Sequence, residues 1–332
     1  MWRVIGQDRI VSLLDYSLKT NAMAHAYLIV GPRHVGKRTL AINMAQALNC
    51  DGPEVPCGEC RSCRRILEGK HADITSVGLD SRTEIGIDDI RGLQRSANLP
   101  PYEGKCKVFI IDEAEYLSTE AANSLLKILE EPPQKMVWLL LAAEEELLMP
   151  TVVSRCQRLE LRPVSSELVQ ETLIKSYKVD ADKAKLLTQL CHGRLGWALS
   201  ALANDELLEQ RSQRIDRLVF LLTAGLEQRF AYAQELSTHF SQERKAGAEI
   251  IEMWLDWWRD LMLIKGGCRE AIINVDHKEV LDQQAKALSL GEIKEFLASL
   301  GFVREAIFRN ANPRLALEWL MLRLPRKADT RD

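Results

Sequence analysis

The stretch AYLIVGPRHVGKRT, residues 26–39, decides how the first half of this chain is read. Ala26–Val30 is an unbroken apolar run, the pattern of a strand buried on both faces. Gly31-Pro-Arg-His-Val-Gly36-Lys37 follows it and opens a helix marked by Leu40, Met44, Ala47 and Leu48. A G-x-x-x-x-G-K segment between strand and helix forms a phosphate loop. Its glycines let backbone N–H groups turn inward, and the helix N-terminus and Lys37 add positive charge. The same glycines would also serve a plain strand-to-helix turn, so the stretch alone leaves both readings open. Position 38 narrows them. A magnesium-binding loop carries Ser or Thr there, but Arg38 has no lone pair to offer a cation. Thr39 does not replace it, because one step along a helix turns a side chain by about 100°. The expectation is a phosphate-cradling backbone at Gly31, Gly36, Lys37 and Thr39 without productive Mg·ATP.

Outward from this loop the alternation continues. Ile10, Leu13, Leu14 and Leu18 predict a helix before the first strand. Val108–Ile111 and Val137–Leu141 predict two more buried strands. Ser118 caps a helix that runs to about Glu131 and ends at Pro132-Pro133. Short apolar strands separated by helices imply a parallel sheet covered on both faces. The second strand ends in Asp112-Glu113. An acidic pair at a strand tip orients magnesium and water in nucleotide hydrolases. Without a metal it holds local structure instead, for instance by pairing with Arg38.

Beyond about Pro163 the strand-like runs stop. Gly193 and Gly196 punctuate a small helical region, and residues 207–324 read as helical throughout. Trp254, Trp257, Trp258 and Leu261 fall at i, i+3, i+4 and i+7, which predicts a helix-packing core. Phe302, Ala306, Leu315, Leu317 and Leu320 predict further packed helices. The tail 326–332 is polar and reads as frayed.

Cys50, Cys57, Cys60 and Cys63 form a C-x6-C-x2-C-x2-C cluster in a segment with Gly52, Pro53, Pro56 and Gly58. Four thiolates at this spacing fit tetrahedral Zn²⁺ and leave no open position, so the site is structural. Apolar residues are scarce across 50–63, and a metal would supply cohesion that burial cannot. His71 is a conceivable competing ligand. Cys106, Cys156, Cys191 and Cys268 read as packing residues. Arg61, Arg64 and Arg65 make only a modest basic patch, a weak basis for a nucleic-acid-binding zinc module.

Composition excludes other classes. The chain has 332 residues, enough for two or three domains. Its 44 Lys and Arg against 47 Asp and Glu leave a net charge of −3, so no chain-wide positive field drives DNA binding. No uncharged apolar run reaches the ~18 residues of a membrane span. The start, MWRVIGQDRI, carries charge where a signal peptide is apolar. A cytoplasmic protein with reduced cysteines is expected.

Together these stretches resemble the clamp-loader subunits of the AAA+ class that serve bacterial DNA polymerase III. The matching residues are Ile5-Gly6-Gln7, His25–Leu28, Gly31–Lys37, the four cysteines, Ile111–Glu115, Ala122–Pro133, Ser154-Arg155-Cys156 and the run 310–318. The resemblance implies a RecA-like α/β domain with a zinc insert (1–163, insert 50–63), a small helical lid (164–206) and a helical collar (207–332) that joins a five-subunit ring. Its partners would be gamma/tau ATPase and delta subunits, a sliding clamp and primed DNA reached through the ring. By itself Arg155 reads as a surface ion-pair residue; the resemblance implies that, with Ser154, it reaches into a neighbour's ATP site as an arginine finger. Active members carry a Thr after the third strand, where this chain has Leu140-Leu-Ala-Ala-Glu144. Their phosphate-contacting lid Arg falls on Trp197, and Arg194 lies on a different helical face. Three phosphate-facing positions have lost their chemistry while Arg155 remains. A non-hydrolysing subunit is expected; the alternative is an ATP-hydrolysing motor, since Lys37, Asp112 and Glu113 persist.

Overall fold

Three apolar runs become the centre of one parallel sheet, because strands covered on both faces have no solvated side for polar residues. In the computed structural model, which describes residues 2–79, 82–204, 206–242, 244–309 and 311–326, these are β1 (Ala26–Val30), β3 (Lys107–Ile111) and β4 (Met136–Ala142). Two shorter strands, β2 (Ile74–Val77) and β5 (Gln157–Glu160), complete the order β2-β3-β4-β1-β5 with every neighbouring pair parallel. Every residue of the three inner strands is buried. Phe109 stacks on Trp138 of the adjacent strand with ring centroids 4.6 Å apart.

The two outer strands escape a search for apolar runs. β5 buries only Leu159, while Arg158 pairs with Glu145 and Glu160. An edge strand needs one covered face and is kept from further pairing by charge.

Among the described residues six α-helices accompany the sheet: α1 (Asp8–Lys19), α2 (Lys37–Asn49), α3 (Arg61–Leu67), α4 (Ile87–Ala97), α5 (Thr119–Glu130) and the short α6 (Pro150–Val153). Leu14, Leu40, Met44 and Ile66 pack with Tyr27, Ile29, Val108, Ile110 and Leu139 in one core, so α1, α2 and α3 lie on one face. Ser118 caps α5 as expected, its hydroxyl accepting the Ala121 N–H at 3.1 Å. The phosphate-loop segment, the acidic pair and the end of β4 all follow carboxyl ends of strands, where open parallel sheets place ligands.

Two compact units divide the chain. Residues 1–80, 84–169 and 193–197 form the first; 81–83, 170–192 and 198–332 form the second. From α7 (Ser166–Lys175) onward the described residues hold no strand. The helices that follow are α8 (Ala181–Cys191), α9 (Leu195–Ala203), α10 (Glu206–Thr223), α11 (Leu226–Gln242), α12 (Arg244–Lys265), α13 (Lys278–Ala287), α14 (Leu290–Phe308) and α15 (Pro313–Arg323).

Within the second unit, Trp254, Trp257, Trp258 and Leu261 of α12 are fully buried, so the aromatic face is packing core. Trp258 meets Phe296 of α14 at 4.4 Å between centroids. Phe302 and Leu315 differ from expectation: they stand 61% and 64% exposed, and Leu317 and Leu320 are the buried partners. Helical spacing names a face but not which face finds a neighbour. Cys106 and Cys191 are buried as expected, whereas Cys268 is exposed. Residue 310 and the tail 327–332 lie outside the described residues.

One buried cation ties this unit together. Arg229 is 1% exposed and donates to the carbonyls of Leu221 and Leu222 near the end of α10, and of Met321, Leu324 and Pro325 at the end of α15. These are carbonyls that a helix end leaves without intrahelical donors. Arg229→Met keeps most of the volume but strands them, and is expected to cost about 3 kcal/mol or more in urea unfolding. A loss under about 1 kcal/mol would mean that water replaces the guanidinium.

Candidate functional site

The loop after β1 has the backbone of a phosphate loop. Gly31 and Gly36 have φ of +147° and +107°, where side chains are disfavoured, and a Cβ on Gly31 would lie 2.3 Å from the Leu161 carbonyl oxygen. Gly36 caps α2, its carbonyl accepting the Leu40 N–H at 2.9 Å. The lysine is turned back on its own loop. Lys37 Nζ donates to the carbonyls of Gly31 at 2.6 Å and Pro32 at 3.0 Å. Burial pulls its ammonium down to about 8, against the opposing pull of the Glu115 and Asp112 carboxylates.

Arg38 Nη1 donates to Asp112 Oδ2 at 3.0 Å. A cation thus closes on the carboxylate that would hold magnesium. Asp112 Oδ1 accepts the N–H of Glu113, whose φ is +56°. Thr39 is exposed on the first turn of α2. Glu115 is the residue of this pocket that spacing did not single out. It is buried, its Oε1 accepts the Ala143 N–H at 3.1 Å, and burial pushes its carboxyl up. Ala143 directly follows β4, in the stretch that has neither hydroxyl nor amide. Residues 193–197 lie against the loop: Gly196 N–H donates to the His34 carbonyl at 2.9 Å, and a Cβ at Gly196 would sit 2.7 Å from that oxygen.

Arg155 lies at the end of α6 and makes no bond to the phosphate loop. Its Nη2 donates to Glu130 Oε1 at 2.6 Å, and its Nη1 to the Thr151 carbonyl at 2.9 Å and to Ser154 Oγ at 3.4 Å. Ser154 Oγ donates in turn to the Thr151 carbonyl at 3.1 Å. Glu130 was not legible as a site residue, since it lies 25 positions away on α5.

The four cysteines converge. Cys50 caps the end of α2, Cys57 and Cys60 lie in the following loop, and Cys63 sits in α3, a helix not anticipated. Their sulfurs all lie within 4.8 Å of one another, with Cys57 and Cys63 3.9 Å apart. A tetrahedral ion with bonds of ~2.3 Å holds its sulfurs about 3.8 Å apart, so the cluster fits a metal ion. None of the four is in a disulfide. Backbone N–H groups of Gly52 and Cys57 point at Cys50 Sγ, that of Cys60 at Cys57 Sγ, and that of Cys63 at Cys60 Sγ, at 3.3–3.4 Å. Such donors favour thiolates. The Cys60 N–H pulls Cys57 down to about 6, while burial pushes the Cys63 thiol up. A Cβ on Gly52 would lie 2.9 Å from Cys57 Sγ, so only glycine fits there.

Buried Gln46 of α2 donates to the Cys63 carbonyl at 2.8 Å and accepts from Asn43 at 3.0 Å. One helix therefore joins the phosphate loop at its start to the cysteine cluster at its end. His71 is no ligand: it lies outside the cluster, with Nδ1 accepting the Asp73 N–H at 3.2 Å. Arg65 pairs with Glu103 and donates to the Lys70 carbonyl, so the basic patch is partly engaged by its own chain.

A five-stranded parallel sheet with a phosphate-type loop, followed by a region whose described residues are all helical or irregular, agrees with the α/β domain and helical C-terminal half expected from the sequence. Residues 6–165 match the family "DNA polymerase III, delta subunit", and residues 205–326 match "DNA polymerase III, delta subunit, C terminal". The chain belongs to this family of DNA polymerase III clamp-loader subunits, delta′- or tau-like. It is 29% identical over 319 residues to DNA polymerase III subunit delta′ of Bacillus subtilis, covering 96% of each chain. It is 28% identical over 342 residues to subunit tau of the same organism, covering 97% of this chain and 60% of tau. A gamma-subunit-related protein of Thermotoga maritima aligns with a TM-score of 0.44 at 19% identity, over 95% of this chain and 99% of that one.

Proposed function

We propose that this chain is a non-hydrolysing clamp-loader subunit that lends Arg155 to the ATP site of a neighbouring gamma/tau-type subunit. In that role it works beside a delta subunit to help load a sliding clamp onto primed DNA in the cytoplasm. Its parts are a nucleotide-binding-like domain (1–163), a lid (164–206) and a collar (207–332). The ion held by Cys50, Cys57, Cys60 and Cys63 is a structural Zn²⁺.

The observation that carries this reading is the Arg38–Asp112 pair, formed where a magnesium hydroxyl and its carboxylate partner belong. Lys37 adds to it, since its ammonium already serves two carbonyls of its own loop and a phosphate would have to compete with them. A guanidinium in trans needs no metal of its own: it is always charged and forks onto phosphate oxygens as negative charge develops.

The test is a nucleotide titration of the whole chain with and without Mg²⁺. Affinity unchanged by Mg²⁺, with no turnover, is the expected result. Mg²⁺-dependent binding with ATP turnover that Lys37→Ala abolishes would replace this reading by the motor alternative. That alternative is kept open by the tau likeness and by Lys37, Asp112 and Glu113.

A further inference from the structure

We infer that Glu130 is the residue that positions the Arg155 guanidinium for its neighbour, an inference that rests on the trans-acting role proposed above. The ground is the disposition of donors. A guanidinium has five N–H groups in a rigid fork. One from Nη2 goes to Glu130 Oε1, and Nη1 serves the Thr151 carbonyl and Ser154 Oγ. Contacts at Nη1 and Nη2 hold the group, and its remaining N–H donors can serve an incoming anion such as a phosphate. The arginine side chain is 34% exposed, so those donors can be reached.

The anchor is set by the fold. Glu130 is the last residue of α5, a helix capped at Ser118 and stopped by Pro132-Pro133. Thr151 and Ser154 belong to α6 and its C-cap. Four residues of α6 alone would leave a long flexible side chain free to sample many rotamers. The bond to α5 ties the guanidinium to a second, longer element. At 2.6 Å between opposite charges it is a short, directional bond that fixes orientation more than it adds stability. Neither the phosphate loop nor the cysteine cluster contributes to it.

The opposite possibility is a brake, in which the carboxylate cancels the charge and holds the finger back. Steady-state ATPase of the assembled clamp loader separates the two, with Glu130→Ala, Glu130→Gln and Arg155→Ala compared at varied ATP. Positioning predicts that Glu130→Ala lowers kcat about tenfold, since small misplacements of a catalytic group are costly. KM for ATP should stay within twofold. Glu130→Gln keeps an acceptor oxygen and should recover most of the rate. Wild-type kcat in Glu130→Ala, a rise in kcat for either variant, a change confined to KM, or Glu130→Gln as slow as Glu130→Ala each overturns the inference. If Arg155→Ala itself runs at the wild-type rate, the trans-acting role fails rather than the positioning.

Discussion

Arg155→Ala is expected to leave ring assembly intact and to slow ATP hydrolysis at the neighbouring site by about 10³-fold or more, the scale on which arginine fingers act. The size of the effect follows from where the charge is needed. Negative charge spreads over the transferred phosphoryl only in the transition state, so a fixed cation there lowers the barrier more than it tightens ATP binding. The loss should therefore appear in kcat, read by single-turnover hydrolysis in the assembled ring, with ATP affinity nearly unchanged. The fold of this chain should not suffer. Arg155 and Glu130 are both partly solvated, and exposed ion pairs contribute only about 0–1 kcal/mol. A rate within twofold of wild type would end the finger role.

Removing the metal from the cysteine cluster should have the second large effect. Protein purified without chelators is expected to carry about one Zn²⁺ per chain, bound by four thiolates. Binding of structural zinc is worth on the order of 10 kcal/mol or more, and segment 50–63 has little apolar surface to replace it. Without metal, the four sulfurs within 4.8 Å of one another lose the cation that draws them together. Chelation, or Cys63→Ser at the buried ligand, should therefore release residues 50–67 to fast hydrogen exchange. Loosening should extend to the end of α2 through Gln46, while the central strands stay protected. Metal analysis finding no zinc, or equal protection of 50–67 with and without metal, would contradict this.

The inner sheet was legible because burial on both faces leaves an unmistakable apolar run, as in Ala26–Val30 and Met136–Ala142. β2 and β5 were not, because one-sided burial at an edge leaves only residues such as Leu159 as a signal. Phe302 and Leu315 show the same limit in helices: apolar periodicity announces a face without saying what covers it. At the sites, glycine spacing placed the loop and cysteine spacing placed the cluster. Glu115, Gln46 and Glu130 went unread as site residues, because nothing in their local context sets them apart from other Glu and Gln residues.

Local chemistry is what the residues carried before any folding was considered. Arg38 lacks a lone pair wherever it sits, and four thiols in a short segment ask for one ion. Tertiary structure chose most of the partners. The Arg38–Asp112 pair, across 74 positions, follows from opposite charges around one loop and is anticipated by the sequence, but only the fold turned Lys37 onto its own loop and set Glu130 against Arg155 across 25. An ion pair or hydrogen bond depends on distances of about 3 Å in space, and separation along the chain does not report them.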